Sequence, residues 1–267
     1  MIYDLQAMRL DAEHIAQAAG AVIRQHFNQP HEETIKSNIF DVVTEGDKAS
    51  EAVILAELHR LYPTVAIVSE EGGGELTNSE YCWFIDPIDG TTNFANNIPF
   101  FSVSIGLAET ATRLPVVGAV LNPITGELFS AAKGHGATLN GQPIQVSKAD
   151  NLNRTVFASG FAYARQTAED NNLRAWEAML MHVRDLRRMG SAALDLCYVA
   201  AGRFDGYWER YINSWDVSAG LAILYEAGGT ASDYSGSTEK LYTGNEVVAT
   251  NGLLHKATLQ ILNSVRE

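Results

Sequence analysis

Apolar side chains return every three or four residues at Leu5, Met8, Ala12, Ile15, Ala19, Val22, Ile23 and Phe27. That is the period of one face of an α-helix, and Asn28-Gln29-Pro30 supplies the stop. The stretch 31–43 is polar and then turns apolar, which predicts a short strand beside a mobile loop. A second helix follows Thr44, with Ala52, Leu55, Leu58 and Tyr62 expected on its buried face and Pro63 ending it. The period then changes. Val65 to Val68, Cys82 to Asp86, Phe101 to Ala108, Leu114 to Leu121 and Glu127 to Ala132 read as strands, with Asn140-Gly141 as a hairpin turn. Residues 1–150 therefore predict two helices followed by an antiparallel sheet.

Past residue 150 helical and strand patterns alternate. Val156 to Ser159, Tyr207-Trp208 and Val247 to Ala249 are expected strands. Residues 166–184, Ala192 to Ala201, Asp216 to Ala227 and Leu253 to Val265 are expected helices, the third closed by Gly228-Gly229. The expectation is an α/β protein, with an α+β half over 1–150 and an α/β half over 151–267. No repeat, low-complexity tract or Pro- or Ser-rich linker separates the halves, so they are expected to pack as one unit.

Bulk properties narrow the function. A chain of 267 residues can bury a large core, and its mean hydropathy of −0.07 is ordinary for a globular protein. Nineteen basic residues against 32 acidic ones leave a formal charge of −13. That balance argues against nonspecific nucleic-acid binding and against anionic membranes. It also repels anionic substrates, unless bound divalent cations reverse the field locally. Cys82 and Cys197 form no CxxC pair and sit in apolar surroundings, as expected of reduced packing residues in a cytoplasmic protein. The N-terminus carries no signal-peptide pattern, and no run reaches the roughly 18 apolar residues of a membrane span. The seven histidines show no zinc-like spacing, and no Walker A or complete GxGxxG fingerprint is present.

The chemistry concentrates in Trp83-Phe84-Ile85-Asp86-Pro87-Ile88-Asp89-Gly90-Thr91-Thr92-Asn93-Phe94. An apolar run delivers two carboxylates, Asp86 and Asp89, with a proline between them. Oxygen ligands at that density suit a hard cation, and Ile88 can add its carbonyl. An unpaired carboxylate at the end of an apolar run is costly unless a cation compensates it. Gly90-Thr91 suits backbone N–H groups aimed at an anion. Three further acidic signals accompany it. Asp47 stands three residues after Thr44, a helix-capping spacing that also suits a carboxylate orienting a hydroxyl or a water. Glu70, in Ser69-Glu70-Glu71-Gly72, follows a strand at the end where α/β sites gather. Asp216, in Trp215-Asp216-Val217-Ser218-Ala219-Gly220, opens a helix with small residues behind it.

Taken together, Asp-x-Val-Thr-x-x-Asp from Asp41, Glu70-Glu71, the central segment and Trp215-Asp216-x-x-Ala-Gly resemble the motif set of the inositol monophosphatase family. The resemblance runs in order, and with similar spacing, from the N-terminal helix past Gly229. It implies a layered αβαβα sandwich and a magnesium-dependent, lithium-sensitive phosphomonoesterase, often a homodimer. It implies two or three Mg2+ ions. One would be held by Glu70, Asp86 and the Ile88 carbonyl, a second by Asp86, Asp89 and Asp216, and a weaker third by Glu70 and waters. Thr91 and Asp47, with Glu70, would serve the attacking water, and the Gly90-Thr91 amides would hold the phosphate. Gly190, Ser191, Ala192, Glu209 and Asp89 would meet the substrate, and Lys36 would reach the site from its loop.

By the same resemblance the substrate is a small phosphorylated polyol, most simply inositol monophosphate, since Glu209 matches an acid that bonds inositol hydroxyls. Ala162 stands where relatives often carry proline, which touches the substrate side only. Histidinol phosphate, fructose 1,6-bisphosphate and adenosine 3′,5′-bisphosphate are the alternative esters. An aspartyl-nucleophile phosphatase needs Asp-x-Asp, and the spacing here is Asp-Pro-Ile-Asp. From another class, the same fold could serve as a regulatory or scaffold protein.

Overall fold

A computed structural model describes residues 3–29, 34–35, 42–75, 79–238, 241 and 245–265. Lys36, Asp41 and most of the expected loop at 31–43 lie outside these residues. Helix α1 spans Leu5–His26, capped by the Asp4 carboxylate on the Gln6 and Ala7 amides. The short β1 (Thr34–Ile35) and β2 (Val42–Val43) pair antiparallel and lead into α2 (Glu45–Leu61). Then follow β3 (Ala66–Ser69), β4 (Tyr81–Asp89), α3 (Thr91–Ala95), β5 (Ser102–Glu109), β6 (Pro115–Asn122), β7 (Glu127–Ala132), β8 (Ala137–Leu139) and β9 (Gln142–Pro143). The remaining elements are β10 (Val156–Ser159), α4 (Leu173–Leu180), β11 (Asp185–Arg187), α5 (Ala192–Ala200), β12 (Gly206–Arg210), α6 (Ser214–Glu226), β13 (Thr230–Ser232), β14 (Glu246–Thr250) and α7 (His255–Ser264).

Strands β3 to β9 form one seven-stranded sheet in chain order, and β11-β10-β12-β14-β13 form a five-stranded sheet. Five layers result. Helices α1 and α2 cover one face of the large sheet, α5 and α6 fill the space between the sheets, and α4 and α7 pack together beyond the small one. Three apolar cores glue the layers. Met8, Ile15, Ile23, Ile54 and Leu58 meet Trp83, Ile85 and Val103. Leu194, Leu196, Val217 and Leu221 lie among Val120, Phe129, Tyr207 and Val247. Met179 and Leu262 pack on Phe157, Trp208 and Val248. The expected αβαβα layering is thus observed.

Three details depart from the pattern reading. The large sheet is not wholly antiparallel, because β3 runs parallel to β4 with Ser69 opposite Ile85. The buried stripe of α2 is Asp47, Ser50, Ile54 and Leu58, and Ala52 faces out. Two of those four positions are polar. Of the expected face, Leu58 and Tyr62 are buried and Leu55 packs against the core, so Ala52 alone departs from it. The expected helix over 166–184 shortens to α4. Asn172 stands at its N-cap in the left-handed region (φ 70°), and the segment after α4 becomes β11 rather than continuing the helix.

Candidate active site

Strand β4 sorts its side chains by face. Trp83 and Ile85 join the core under α1 and α2, while Cys82 and Phe84 point the other way, toward Trp215. Asp86, two residues past Phe84, continues that second face. Asp89 is three residues further, and in a regular strand it would point to the opposite side. A β-bulge prevents this: Asp86 pairs with Ser104 and Asp89 with Ser102, so three residues of β4 face two of β5. Both carboxylates therefore emerge on one side. Pro87 has no N–H to lose to the ladder at this irregularity, and its carbonyl accepts from the Ser50 hydroxyl (2.9 Å).

The parallel neighbour brings the third acid. The Glu70 amide donates to the Ile85 carbonyl (3.1 Å), which sets Glu70 beside Asp86 at the C-terminal ends of both strands. The charge of Glu70 acts directly on Asp86. Asp216, in the first turn of α6, reaches the same pocket and accepts the Asn213 amide (2.7 Å). Trp215, beside it, packs on Ala66, Cys82, Phe84 and Ala108.

Burial, reinforced by Glu70, Asp89 and Asp216, pushes the Asp86 carboxyl well above the usual carboxylate range. Withdrawal from bulk water and the charge of Glu70 do the same to Asp216. Asp89 is raised only to about 6, because burial is opposed by donors on α5. Its Oδ2 accepts the Ser191 hydroxyl (2.6 Å) and the Ala193 amide (2.8 Å), and its Oδ1 the Ala192 amide (3.2 Å). An acid at a helix N-terminus is the arrangement the macrodipole favours.

Thr91 and Asp47 form a second unit. Asp47 is fully buried. Its Oδ2 accepts the Thr44 amide (2.8 Å) and hydroxyl (2.6 Å), the capping contact expected from the spacing. Its other oxygen, Oδ1, lies 3.2 Å from the Thr91 hydroxyl, which is also 3.1 Å from the Ile88 carbonyl. Capping and the contact to Thr91 are thus served by one carboxylate. Gly90 precedes α3 at φ 103°, and a side chain there would strike the Gly190 carbonyl at 2.9 Å. Only glycine lets this turn and the α5 approach meet so closely.

Glu70, Asp86, Ile88, Asp89, Gly90, Thr91 and Asp216 line one pocket, about 120 Å3 in volume, with Gly160, Phe161, Ala162 and Tyr163 after β10 and Glu209 of β12 forming the far wall. A Cβ added at Gly160 would lie 2.1 Å from Glu209 Oε2, so a larger residue there would displace the Glu209 carboxyl. Glu209, held by the Tyr207 hydroxyl, is pushed up to about 7, burial outweighing that bond and the nearby Arg188. Six carboxyl groups line the pocket: Glu70, Asp86, Asp89, Asp195, Glu209 and Asp216. Arg188 is the one cationic side chain among its described lining residues.

That imbalance fits divalent cations, since crowded buried carboxylates are tolerable when paired with positive charge. As placed, no three acidic, histidine or cysteine side chains of the described residues converge on one point. Asp86, Asp89 and Asp216 each turn at least one oxygen to a protein donor, the Ile88 amide in the case of Asp86 (3.0 Å).

Every expected site residue except Lys36 therefore borders this pocket or, like Asp47, stands directly behind it. Ser191 differs from expectation in detail, its hydroxyl being spent on Asp89. The pattern reading overlooked Ser50, Asp195 and Tyr163. Ser50 and Asp195 share one signal, a polar residue on a helix face that is otherwise buried.

The inositol monophosphatase family profile matches residues 4–267. The chain belongs to the inositol monophosphatase family. It is 45% identical over 261 residues to an inositol-1-monophosphatase of Synechocystis, covering 97% of this chain and 90% of that one. It is 42% identical over 224 residues to the Nus factor SuhB of Pseudomonas aeruginosa, 82% of each. Its fold matches the inositol monophosphatase structure from Anabaena with a TM-score of 0.89 at 41% identity, covering 99% of this chain and 98% of that one. Membership supports phosphatase activity on a phosphate ester. Among the described residues no helix is long and apolar enough to cross a membrane.

Proposed function

We propose that this protein hydrolyses a small phosphate monoester, inositol monophosphate foremost, with Mg2+. The observation that carries the reading is the convergence of Glu70, Asp86, Asp89 and Asp216 with Thr91 on one small pocket. Buried carboxyls crowded together need protons or cations. Glu70, Asp86, the Ile88 carbonyl, Asp89 and Asp216 would hold two or three ions. When bound, these ions neutralise the phosphate charge and acidify a water.

The chain's own residues do the rest. Asp47, buried and already fixed by Thr44, accepts a hydrogen bond from the Thr91 hydroxyl. Thr91 Oγ1 then presents its lone pairs to a water and aims it in line with the phosphorus. The Gly90 and Thr91 amides face the phosphate. Glu209 and the Gly190-Ser191-Ala192 turn meet the polyol. This mechanism needs no covalent enzyme intermediate. Lithium inhibition, a homodimer and a cytoplasmic setting belong to the same proposal.

Phosphate release should be measured with and without Mg2+ on myo-inositol 1-phosphate, histidinol phosphate, fructose 1,6-bisphosphate and adenosine 3′,5′-bisphosphate. Preference for the inositol ester supports the reading. Preference for another ester keeps the chemistry and replaces the substrate, and no turnover of any sinks the enzyme reading. The likeness to a protein named Nus factor supports a second role, as a binding partner in a transcription complex. Capture of RNA polymerase components that survives Asp86→Asn would mark that role as independent of catalysis.

A further inference from the structure

Asp195 is the one pocket carboxyl that neither the proposed ions nor the protein employs. It sits in the first turn of α5, 2% exposed, and lines the pocket. Its Oδ1 is buried without a hydrogen-bond partner. The donors that could have served it are taken: Asp89 holds the Ala192 and Ala193 amides and the Ser191 hydroxyl, and the Leu194 amide donates to Ser191 Oγ. The other first-turn residues of α5 are alanine and leucine, and leucine, cysteine and valine follow, all packed into the core between the sheets. An apolar residue at 195 would therefore satisfy the fold without an orphaned polar atom. Three and four residues before Asp195 stand Ala192 and Ser191, on the same helical face and in the same pocket wall. The charges that reach Asp195 are those of Asp89, Glu209 and Arg188.

We propose that Asp195 is a specificity-determining residue that, with Glu209, hydrogen-bonds the hydroxyl groups of a polyol phosphate through its unpartnered carboxyl oxygen. The proposal rests on the polyol-phosphatase reading above. Burial, with Asp89 and Glu209 nearby, raises the Asp195 carboxyl well above its ordinary range, and a carboxyl oxygen can accept from a hydroxyl whether or not the group is protonated. A sugar hydroxyl, itself donor and acceptor, is its natural complement. A substrate without such hydroxyls leaves the buried group unpaired, the kind of loss by which polar sites reject analogues.

The test is the selectivity ratio, kcat/KM for myo-inositol 1-phosphate over kcat/KM for phenyl phosphate. Wild type should favour the polyol ester. Asp195→Leu should lower the ratio at least tenfold, equivalent to about 1.4 kcal/mol. Asp195→Asn, which still accepts, should keep it within about threefold of wild type. Asp195→Ala reads the same ratio if the leucine variant does not fold. An unchanged ratio in the apolar variants, with a selective wild type, overturns this inference alone. A fall that asparagine fails to rescue also overturns it, because it marks a structural role. A wild type that does not favour the polyol ester overturns the polyol reading and this inference together.

Discussion

The two ends of the pocket are built in different ways. At the end formed by β3 and β4, backbone geometry does the placing: a parallel register sets Glu70 beside Asp86, and one extra residue in β4 turns Asp89 to the same side. At the far end, formed by the loop after β10 and by β12, side chains place one another. Tyr207 holds Glu209, Glu209 covers Gly160, and Asn172 ties Gly160 to Trp208. A backbone-built site fixes its groups within one hydrogen-bonded sheet. A side-chain-built wall can change residue by residue while the sheet behind it stays the same. The first arrangement suits a fixed chemistry, and the second suits a variable substrate.

The largest test of this contrast is to remove charge at the backbone-built end. Asp89→Asn or Asp216→Asn should lower kcat by about 10²–10³ or more, the scale of lost preorganised electrostatic stabilisation, on every ester alike. Circular dichroism should stay native, because asparagine can still accept the α5 or Asn213 amides. Full activity in either variant would sink the assignment of these acids to the cations. Thr91→Val comes next. With the hydroxyl gone, the water loses its orienting partner, and kcat should fall about 10²-fold with little change in KM. Thr91→Ser should recover most of it, and a valine variant as active as wild type would leave Asp47 with only its capping role.

That end was also the more legible in the sequence, for a physical reason. Asp86, Asp89, Gly90 and Thr91 are neighbours in the chain, so a short motif carries them whatever the fold does. Asp47 was visible through its spacing from Thr44, which serves capping and site alike. The parallel placement of β3 was not legible, since an apolar run ending in Ser69 has no direction written in it. On α2, Leu58 and Tyr62 are buried as expected, but Ala52 faces out, and Asp47 and Ser50 occupy buried positions that hydrophobic periodicity assigns to apolar residues. The far wall was harder still. The helix over 166–184 was overextended because the meaning of Asn172 depends on Ser159, Gly160 and Trp208, partners up to 36 residues away. Asp195 was hidden among small and apolar neighbours.

A third test reads the acidic end through stability. Asp86, Asp216 and Asp89, the last at about 6, are all raised above their unfolded values. In the metal-free folded protein they hold protons that the unfolded chain, with its carboxyls near 4, has already released. Between about pH 4 and 6, and higher for the two stronger shifts, the native state therefore binds more protons. Metal-free stability must fall as pH rises through that window. Magnesium competes with those protons, so it should raise Tm by more at pH 8 than at pH 5. Thermal melts in chelator and in Mg2+ across that range check it. A magnesium shift that shrinks as pH rises would mean that the cation binds elsewhere.

The smallest expected effect lies at the side-chain-built end. Asn172 is buried, and its one amide group accepts from Trp208 Nε1 (2.8 Å) while donating to Ser159 Oγ (2.9 Å) and the Gly160 carbonyl (2.7 Å). It also stands in the left-handed region at φ 70°, where asparagine is tolerated and β-branched residues are strained. Asn172→Gly keeps the backbone conformation and deletes all three bonds, leaving the buried Trp208 N–H unpaired, and should cost about 1–3 kcal/mol of stability. Because Gly160 supports the wall beneath Glu209, the loosened wall should raise KM for a polyol ester several-fold, with kcat little changed. The same variant should leave the magnesium dependence of activity where it was, since no bond of Asn172 runs to β3 or β4. A shift in magnesium requirement would show that the two ends are coupled and that the division between them is wrong.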